Sequence, residues 1–235
     1  MRTLILSDIH LGHPATRVRA AEQLYPLTKD FDQVILNGDS VEQRFAKEKA
    51  PGAKHLAEFL EVLGKKQVNF LCGNHDPFIS KEHTKELNEA ILITHGDILC
   101  PDLLSNHDLV MDKRIGQIKR SQTDLSNGSR VKYFVFNTMP PNKLMYAINL
   151  WRKHHKHVSN LNYPQAYKFI ITGHVHKAGI NEDHGQISIN TGSFMALSRP
   201  LAVIVDDEQR SLEVHSITLR KDGFHLGRLV EAYTY

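Results

Sequence analysis

The chain has 235 residues, 41% of them apolar and 23% charged, a balance that excludes disorder of the whole chain and allows one sizeable core. Its formal charge of +3 is too small to argue for a nucleic-acid partner, although it suits an anionic substrate. Two distant cysteines, Cys72 and Cys100, give no disulfide framework and fit a reducing, cytoplasmic compartment, and no apolar run is long enough to span a bilayer.

In chain order, Thr3 to Ser7 reads as a short buried strand. Ala15 to Leu27 has helical spacing, and Phe31 to Leu36 is strand-like. Gln43 to Leu63 predicts a helix interrupted near Pro51-Gly52. Gln67 to Cys72 predicts a strand, Lys81 to Ala90 a helix, and Ile91 to Thr94 a strand. Residues 99–165 lack a strand pattern and read as a mostly helical insertion, with a helix opening at Pro140-Pro141 and running to about Val158. Tyr167 to Thr172, Gln186 to Asn190, Leu201 to Val205 and Leu212 to Leu219 then predict successive strands. The order implies a layered α/β core, one domain over residues 1–235, with the insertion inside it.

Five polar clusters punctuate these segments: Asp8-Ile9-His10, Gly38-Asp39, Gly73-Asn74-His75-Asp76, His95-Gly96-Asp97 and Gly173-His174-Val175-His176. Each directly follows a strand candidate, and loops at the carboxyl ends of strands converge on one crevice. Asp, His and Asn offer oxygen and imidazole nitrogen without thiolate, a donor set suited to manganese, iron, zinc or similar ions. Asp8 and His10, two apart, would face the same side of a straight strand, and so would His174 and His176. The four glycines would permit sharp turns beside the ligands. Taken singly, a DxH, an HxH or a Gly-Asp is more often capping or turn polarity, and Gly-Asn-His-Asp is more distinctive. Five in order, each at a strand end, point to one shared metal site.

This ordered pattern resembles the calcineurin-like metallophosphoesterases, from Asp8 to Ser193. The resemblance implies an α/β (α+β) four-layer sandwich of two mixed β-sheets flanked by helices, with two metal ions between the sheets. By position, Asp8, His10 and His176 would hold one ion, Asn74, His95 and His174 the other, and Asp39 would bridge them. His75 would be the catalytic histidine that binds no metal. Glu42, Asp76 and Asp97 would support the site without being ligands. The implied reaction is hydrolysis of a phosphodiester or pyrophosphate by metal-bound hydroxide, with manganese foremost and iron, zinc, nickel or magnesium as alternatives. Asn190-Thr191-Gly192-Ser193 would shape the back of the site.

The opening SDIHLG, the HGD block and the insertion are similar to the branch containing UDP-2,3-diacylglucosamine hydrolases, which implies a phosphate-containing, lipid-linked substrate and leaves peripheral membrane contact open. His75 departs from that branch, whose third block has arginine. Leu144, Met145, Ile148 and Trp151 share one face of the proposed helix, suited to an acyl chain, although core packing is the more usual fate of such a stripe. The basic run 152–157 suits phosphate, anionic lipid or nucleic acid, or simply a solvated helix face. Arg17 and Arg114 are further candidates for phosphate contact. A phosphomonoesterase or phosphoprotein phosphatase is the alternative on the same core. A non-catalytic interaction module fits less well, because every expected ligand is present.

Overall fold

A computed structural model describes residues 1–43, 53–64, 66–98, 106–123, 152–153 and 167–235. Two mixed sheets dominate these residues. The first has six strands in the order β11-β10-β9-β1-β2-β3, comprising β1 (Arg2–Leu6), β2 (Gln33–Asn37), β3 (Gln67–Leu71), β9 (Leu201–Asp206), β10 (Ser211–Arg220) and β11 (Gly223–Thr234). The second has five in the order β4-β5-β6-β8-β7, comprising β4 (Thr84–Leu87), β5 (Ile91–Thr94), β6 (Phe169–Thr172), β7 (Gly179–Asp183) and β8 (Gln186–Asn190).

Strand alternation explains the layering. Ile5, Ile35, Val203 and Val205 of the first sheet pack with Ile91, Ile93, Phe169, Ile171 and Ile189 of the second, forming the core between the sheets. Their neighbours Leu4, Leu6, Val34, Leu36 and Ile204 face the opposite way and meet Leu27 of α1 (Tyr25–Thr28) and Phe59 and Leu63 of α2 (Ala53–Leu63). The central strands β1, β2, β5 and β6 are buried on both faces, which is why they read as unbroken apolar runs.

β1, β2 and β3 run parallel, as do β5, β6 and β8. All six therefore end on two loop-bearing edges. Asn37 ties these edges together: its Nδ2 donates to the Thr94 carbonyl at 2.9 Å, and its own carbonyl lies 3.0 Å from His95 Nδ1.

Two expectations need correction. Lys81 to Ala90 is not a helix; it contains β4, paired antiparallel with β5. Asn88 and Glu89, both at positive φ, turn the chain between the two strands, so tertiary pairing overrides the segment's helical composition. Ala15 to Leu27 is helical only from Ala21, as a 3-10 turn leading into α1. The preceding backbone is committed to the site loops, with Thr16 Oγ1 donating to the Ile9 carbonyl and Arg17 N–H to the Phe194 carbonyl. Strands β7 and β11 were not foreseen. Within the expected insertion, α3 (His107–Thr123) is a helix whose buried stripe is Val110, Arg114 and Ile118, at i, i+4 and i+8. Leu144, Met145, Ile148, Trp151, residues 154–157, Cys100 and residues 44–52 lie outside the described residues. No helix among the described residues is long and apolar enough to cross a membrane.

Candidate metal centre

Five loops bring the predicted site residues together, three from the first sheet and two from the second. Asp8 and His10 follow β1, Asp39 follows β2, and Asn74 and His75 follow β3. His95 follows β5, and His174 and His176 follow β6. Asp8, His10, Asp39, Asn74, His75 and His95 are all buried, and His176 is partly exposed.

The backbone does not use a straight strand to present its paired donors. Asp8, His10, Asp39, His174 and His176 all have positive φ, between 51 and 70°. Such left-handed backbone is costly for residues with a side chain, and it clusters at functional sites. The sequence pairs Asp8/His10 and His174/His176 thus converge through successive tight turns. Hydrogen bonds fix those turns: Asp8 N–H donates to the Gly38 carbonyl at 3.1 Å, and His10 N–H to the Asp39 carbonyl at 2.9 Å. The His174 N–H donates to Asp8 Oδ2 at 3.0 Å, locking a loop of one sheet to a loop of the other. Of the four glycines, Gly73 and Gly173 serve close approach rather than a left-handed turn. A Cβ at Gly73 would strike Asp39 Oδ1, and one at Gly173 would strike Asp8 Oδ2.

Ligand-capable atoms of Asp8, His10, Asp39 and His176 all lie within 4.8 Å of one another. His10 Nε2 stands 3.1 Å from His176 Nε2, and His176 Nε2 stands 3.2 Å from Asp8 Oδ1. Beside this pocket is a second group. His95 Nε2 is 3.2 Å from Asp39 Oδ2, His174 Nδ1 is 3.0 Å from Asn74 Oδ1, and the His95 and His174 rings are 5.4 Å apart. Asp39 is common to both: its Oδ2 lies 3.8 Å from His10 Nε2 as well.

The electrostatics of the metal-free cluster follow from its burial. Desolvation opposes a charged His10 ring, yet the carboxylates of Asp8, Glu42 and Asp39 around it outweigh this and push its pKa up to about 10. His95 is likewise raised to about 10, with Asp39 overcoming burial. Burial by itself would raise the carboxylates, but the histidines hold Asp8 and Asp39 well below the usual range and bring Glu42 down to about 2. His174 is lowered to about 4, chiefly by burial and then by His95. Protons thus stand where divalent cations would. Two imidazole Nε2 atoms facing each other across 3.1 Å, next to ionised carboxylates, make a donor set that fits a divalent cation.

The supporting residues have distinct tasks. Asp76 accepts the N–H groups of Gly73, Asp39 and Ser40 at 2.8, 2.9 and 2.6 Å, holding the β2 and β3 loops side by side. Glu42 Oε2 lies 2.8 Å from His75 Nδ1 and 3.8 Å from His10 Nδ1. Asp97 pairs with Arg114, accepting its Nε at 2.9 Å and its Nη2 at 2.5 Å. Of the two candidate phosphate contacts, Arg17 is partly buried, and burial rules out Arg114. Arg17 Nη2 donates to the Ser198 carbonyl at 3.0 Å, bracing the β8 loop. Arg114 is 1% exposed, deep inside the fold. Trp151 lies outside the described residues.

Several contributors escaped the sequence reading. His13 is buried beside His10, with ring centroids 6.0 Å apart, and its Nδ1 accepts the Ala15 N–H at 3.0 Å. Ser7 Oγ donates to Asp8 Oδ2 at 2.5 Å and meets Thr191 Oγ1 at 2.5 Å. Ser198 Oγ donates to the His176 carbonyl at 2.5 Å. His13 alone carried a signal, as a third metal-donor residue after Asp8 and His10 within SDIHLGHP. The serines are indistinguishable in sequence from surface polarity.

The model of the calcineurin-like phosphoesterase superfamily domain matches residues 1–209. No curated protein matches the chain. Among solved structures, Chaetomium thermophilum Vps29 is 12% identical with a TM-score of 0.49, covering 100% of this chain and 95% of its own. Entamoeba histolytica Vps29 complexed with zinc is 16% identical with a TM-score of 0.48, covering 97% and 98% respectively. A novel archaeal phosphodiesterase is 19% identical with a TM-score of 0.43, covering 92% and 99%. With the family match covering most of the chain and every donor loop, the chain belongs to the calcineurin-like phosphoesterase superfamily.

Proposed function

We propose that the protein is a phosphoesterase that uses two divalent cations to hydrolyse a phosphodiester or pyrophosphate bond. One observation carries this reading: Asp39 Oδ2 lies 3.2 Å from His95 Nε2 and 3.8 Å from His10 Nε2, so a single carboxylate faces both donor pockets. Asp8, His10 and His176 would hold one cation, Asn74, His95 and His174 the other, with Asp39 shared. Such a pair, when bound, supplies an activated water near neutral pH and positive charge for the phosphoryl oxygens. Manganese is the ion we favour, on the mixed nitrogen and oxygen donors.

The chain's own residues do the rest. His75 is the residue we assign to the leaving group. Its Nδ1 is oriented by Glu42 at 2.8 Å, which leaves Nε2 to carry the exchangeable proton. Burial lowers the pKa of the His75 ring, with Asp39 and Glu42 opposing, so a protonated ring gives up its proton readily. The imidazolium also offsets negative charge on the transferred group. The substrate we envisage is a small or lipid-linked phosphate compound in the cytoplasm, where the buried free Cys72 stays reduced.

The test is hydrolysis of bis-p-nitrophenyl phosphate against p-nitrophenyl phosphate, with manganese and after chelation. Faster, metal-dependent turnover of the diester supports the reading. Preference for the monoester moves the assignment to a phosphomonoesterase. Two bound ions with no turnover of either compound would count against catalysis.

A further inference from the structure

Beside the second pocket lies a buried cluster that the sequence reading did not assemble. Arg114 heads the fully buried side chains by volume, on the inner stripe of α3. Its Nε donates to Asp97 Oδ2 at 2.9 Å and its Nη2 to Asp97 Oδ1 at 2.5 Å, a two-pronged bond. Its Nη1 reaches Cys72 Sγ at 2.9 Å and His83 Nδ1 at 2.9 Å. A guanidinium has no acceptor, so both atoms accept from it. The Cys72 thiol in turn donates to the Glu82 carbonyl at 3.2 Å, and the Cys72 N–H donates to the same carbonyl at 2.9 Å.

The positions of these partners give the cluster its meaning. Asp97 is two residues beyond His95, and Cys72 is two residues before Asn74. Their strands, β5 and β3, belong to different sheets. One guanidinium on α3 therefore spans the two loops that carry Asn74 and His95, and its hydrogen bonds go to their neighbours rather than to any donor atom. The first pocket is braced by other groups: Ser7 and Thr191 at Asp8, and Ser198 at His176. Stability gives little reason for a charge at this place. A buried ion pair is often matched or surpassed by apolar residues of similar volume, whereas a forked, rigid bond fixes position.

We propose that Arg114 is a positioning residue for the second cation pocket, tying α3 to both the Asn74 loop and the His95 loop and so setting the spacing on which that pocket depends. This rests on the two-cation reading given above. It makes α3 a mechanical partner of Asn74 and His95 and leaves Asp8, His10 and His176 to the other bracing.

The experiment is manganese titration of the full chain by calorimetry, with low-temperature electron paramagnetic resonance at two equivalents and a melting temperature for each metal-free variant. The wild-type chain is expected to take two ions and give the spectrum of an exchange-coupled pair. Arg114→Met is expected to keep one ion and bind the other at least about tenfold more weakly, in the range for groups that support ligands, with an uncoupled spectrum. Arg114→Lys keeps the charge without the fork and should fall between. A folded Arg114→Met that melts lower yet binds two ions with unchanged affinities and a coupled spectrum would reduce Arg114 to packing and overturn the proposal. If Arg114→Met does not fold, Asp97→Asn carries the same comparison, because it weakens the fork from the other side. A wild-type chain that takes no ion pair would sink the two-cation reading itself, and this assignment with it, whatever the variants do.

Discussion

His75 Nδ1 and Glu42 Oε2 lie 2.8 Å apart, both buried, with Glu42 held ionised by a pKa of about 2. The carboxylate is thus a fixed acceptor for the ring, and the pair resembles an acid with its orienting partner. His75→Ala is expected to keep both cations and lose about 10²- to 10⁴-fold in kcat, the usual worth of a positioned proton donor. Metal content by elemental analysis and turnover are measured on the same sample. Loss of metal with retained rate would refute the assignment.

Glu42→Gln probes the same pair through pH. Glu42 favours the charged His75 ring, so removing its charge lowers the ring's pKa. If His75 acts as an acid, activity falls as pH rises through that pKa, and the variant's alkaline limb should move to lower pH. An alkaline limb that stays in place would mean that His75 does not donate the proton in the rate-limiting step.

Metal binding itself should depend steeply on pH. His10 and His95 each have a pKa raised to about 10 in the metal-free chain. A cation must displace those protons, so affinity should rise with pH from neutrality towards 10, by up to about tenfold per unit for each proton released. Calorimetry in buffers of different ionisation enthalpy counts the protons. The sign for stability is opposite. A histidine with a raised folded-state pKa stabilises the fold fully below its unfolded value near 6.5, and that contribution disappears as pH climbs through about 10. The chelated protein should therefore lose denaturant resistance between pH 7 and 10, while the metal-loaded protein should not. Affinity that stays flat across this range would show that the rings are not the donors.

Much of this site was legible in the sequence because its chemistry lies in short motifs at strand ends. Asp8, His10, Asp39, His95, His174 and His176 each follow an apolar run buried on both faces, which is easily recognised, and Asn74 follows the less buried β3. Long-range pairing was not legible. β4 carries Lys85 and Glu86 and becomes a strand only because β5 lies beside it. Nothing local marks Asn37, whose side chain bridges the sheets through the Thr94 carbonyl. Arg114 was misread for a related reason. An arginine in an insertion looks available for phosphate, and only the fold shows Asp97, Cys72 and His83 already waiting for it.

Gly73 and Gly173 make a steric prediction. Their missing side chains leave room for Asp39 and Asp8 respectively. Gly173→Ala should push the Asp8 carboxylate out of its place beside Ser7 and the His174 N–H. The expected cost is about 1–3 kcal/mol, typical of overpacking, together with loss of the first cation. Thermal melting and metal content test this. An alanine variant with unchanged melting and two bound ions would mean that these loops have slack the structure does not suggest.

Asp39→Asn tests the shared carboxylate directly. The substitution conserves shape and retains one oxygen to accept the His75 N–H, which now goes to Oδ1 at 2.7 Å. It removes the charge that faces His95 at 3.2 Å and His10 at 3.8 Å. An amide oxygen is a weaker cation donor, and its NH₂ group would point at one of the two imidazoles. Both pockets should therefore weaken together, unlike Arg114→Met, which should spare the first. The expected outcome is no more than one tightly held ion and a fall in turnover of at least about a hundredfold, the upper end seen even for groups that only support ligands. The histidines should respond as well: without the Asp39 charge, burial prevails over fewer partners, and the His95 pKa should drop, which nuclear magnetic resonance of the ring can follow in the metal-free chain. Weakening confined to one pocket would mean that Asp39 belongs to that pocket alone, and the two-cation geometry would have to be abandoned.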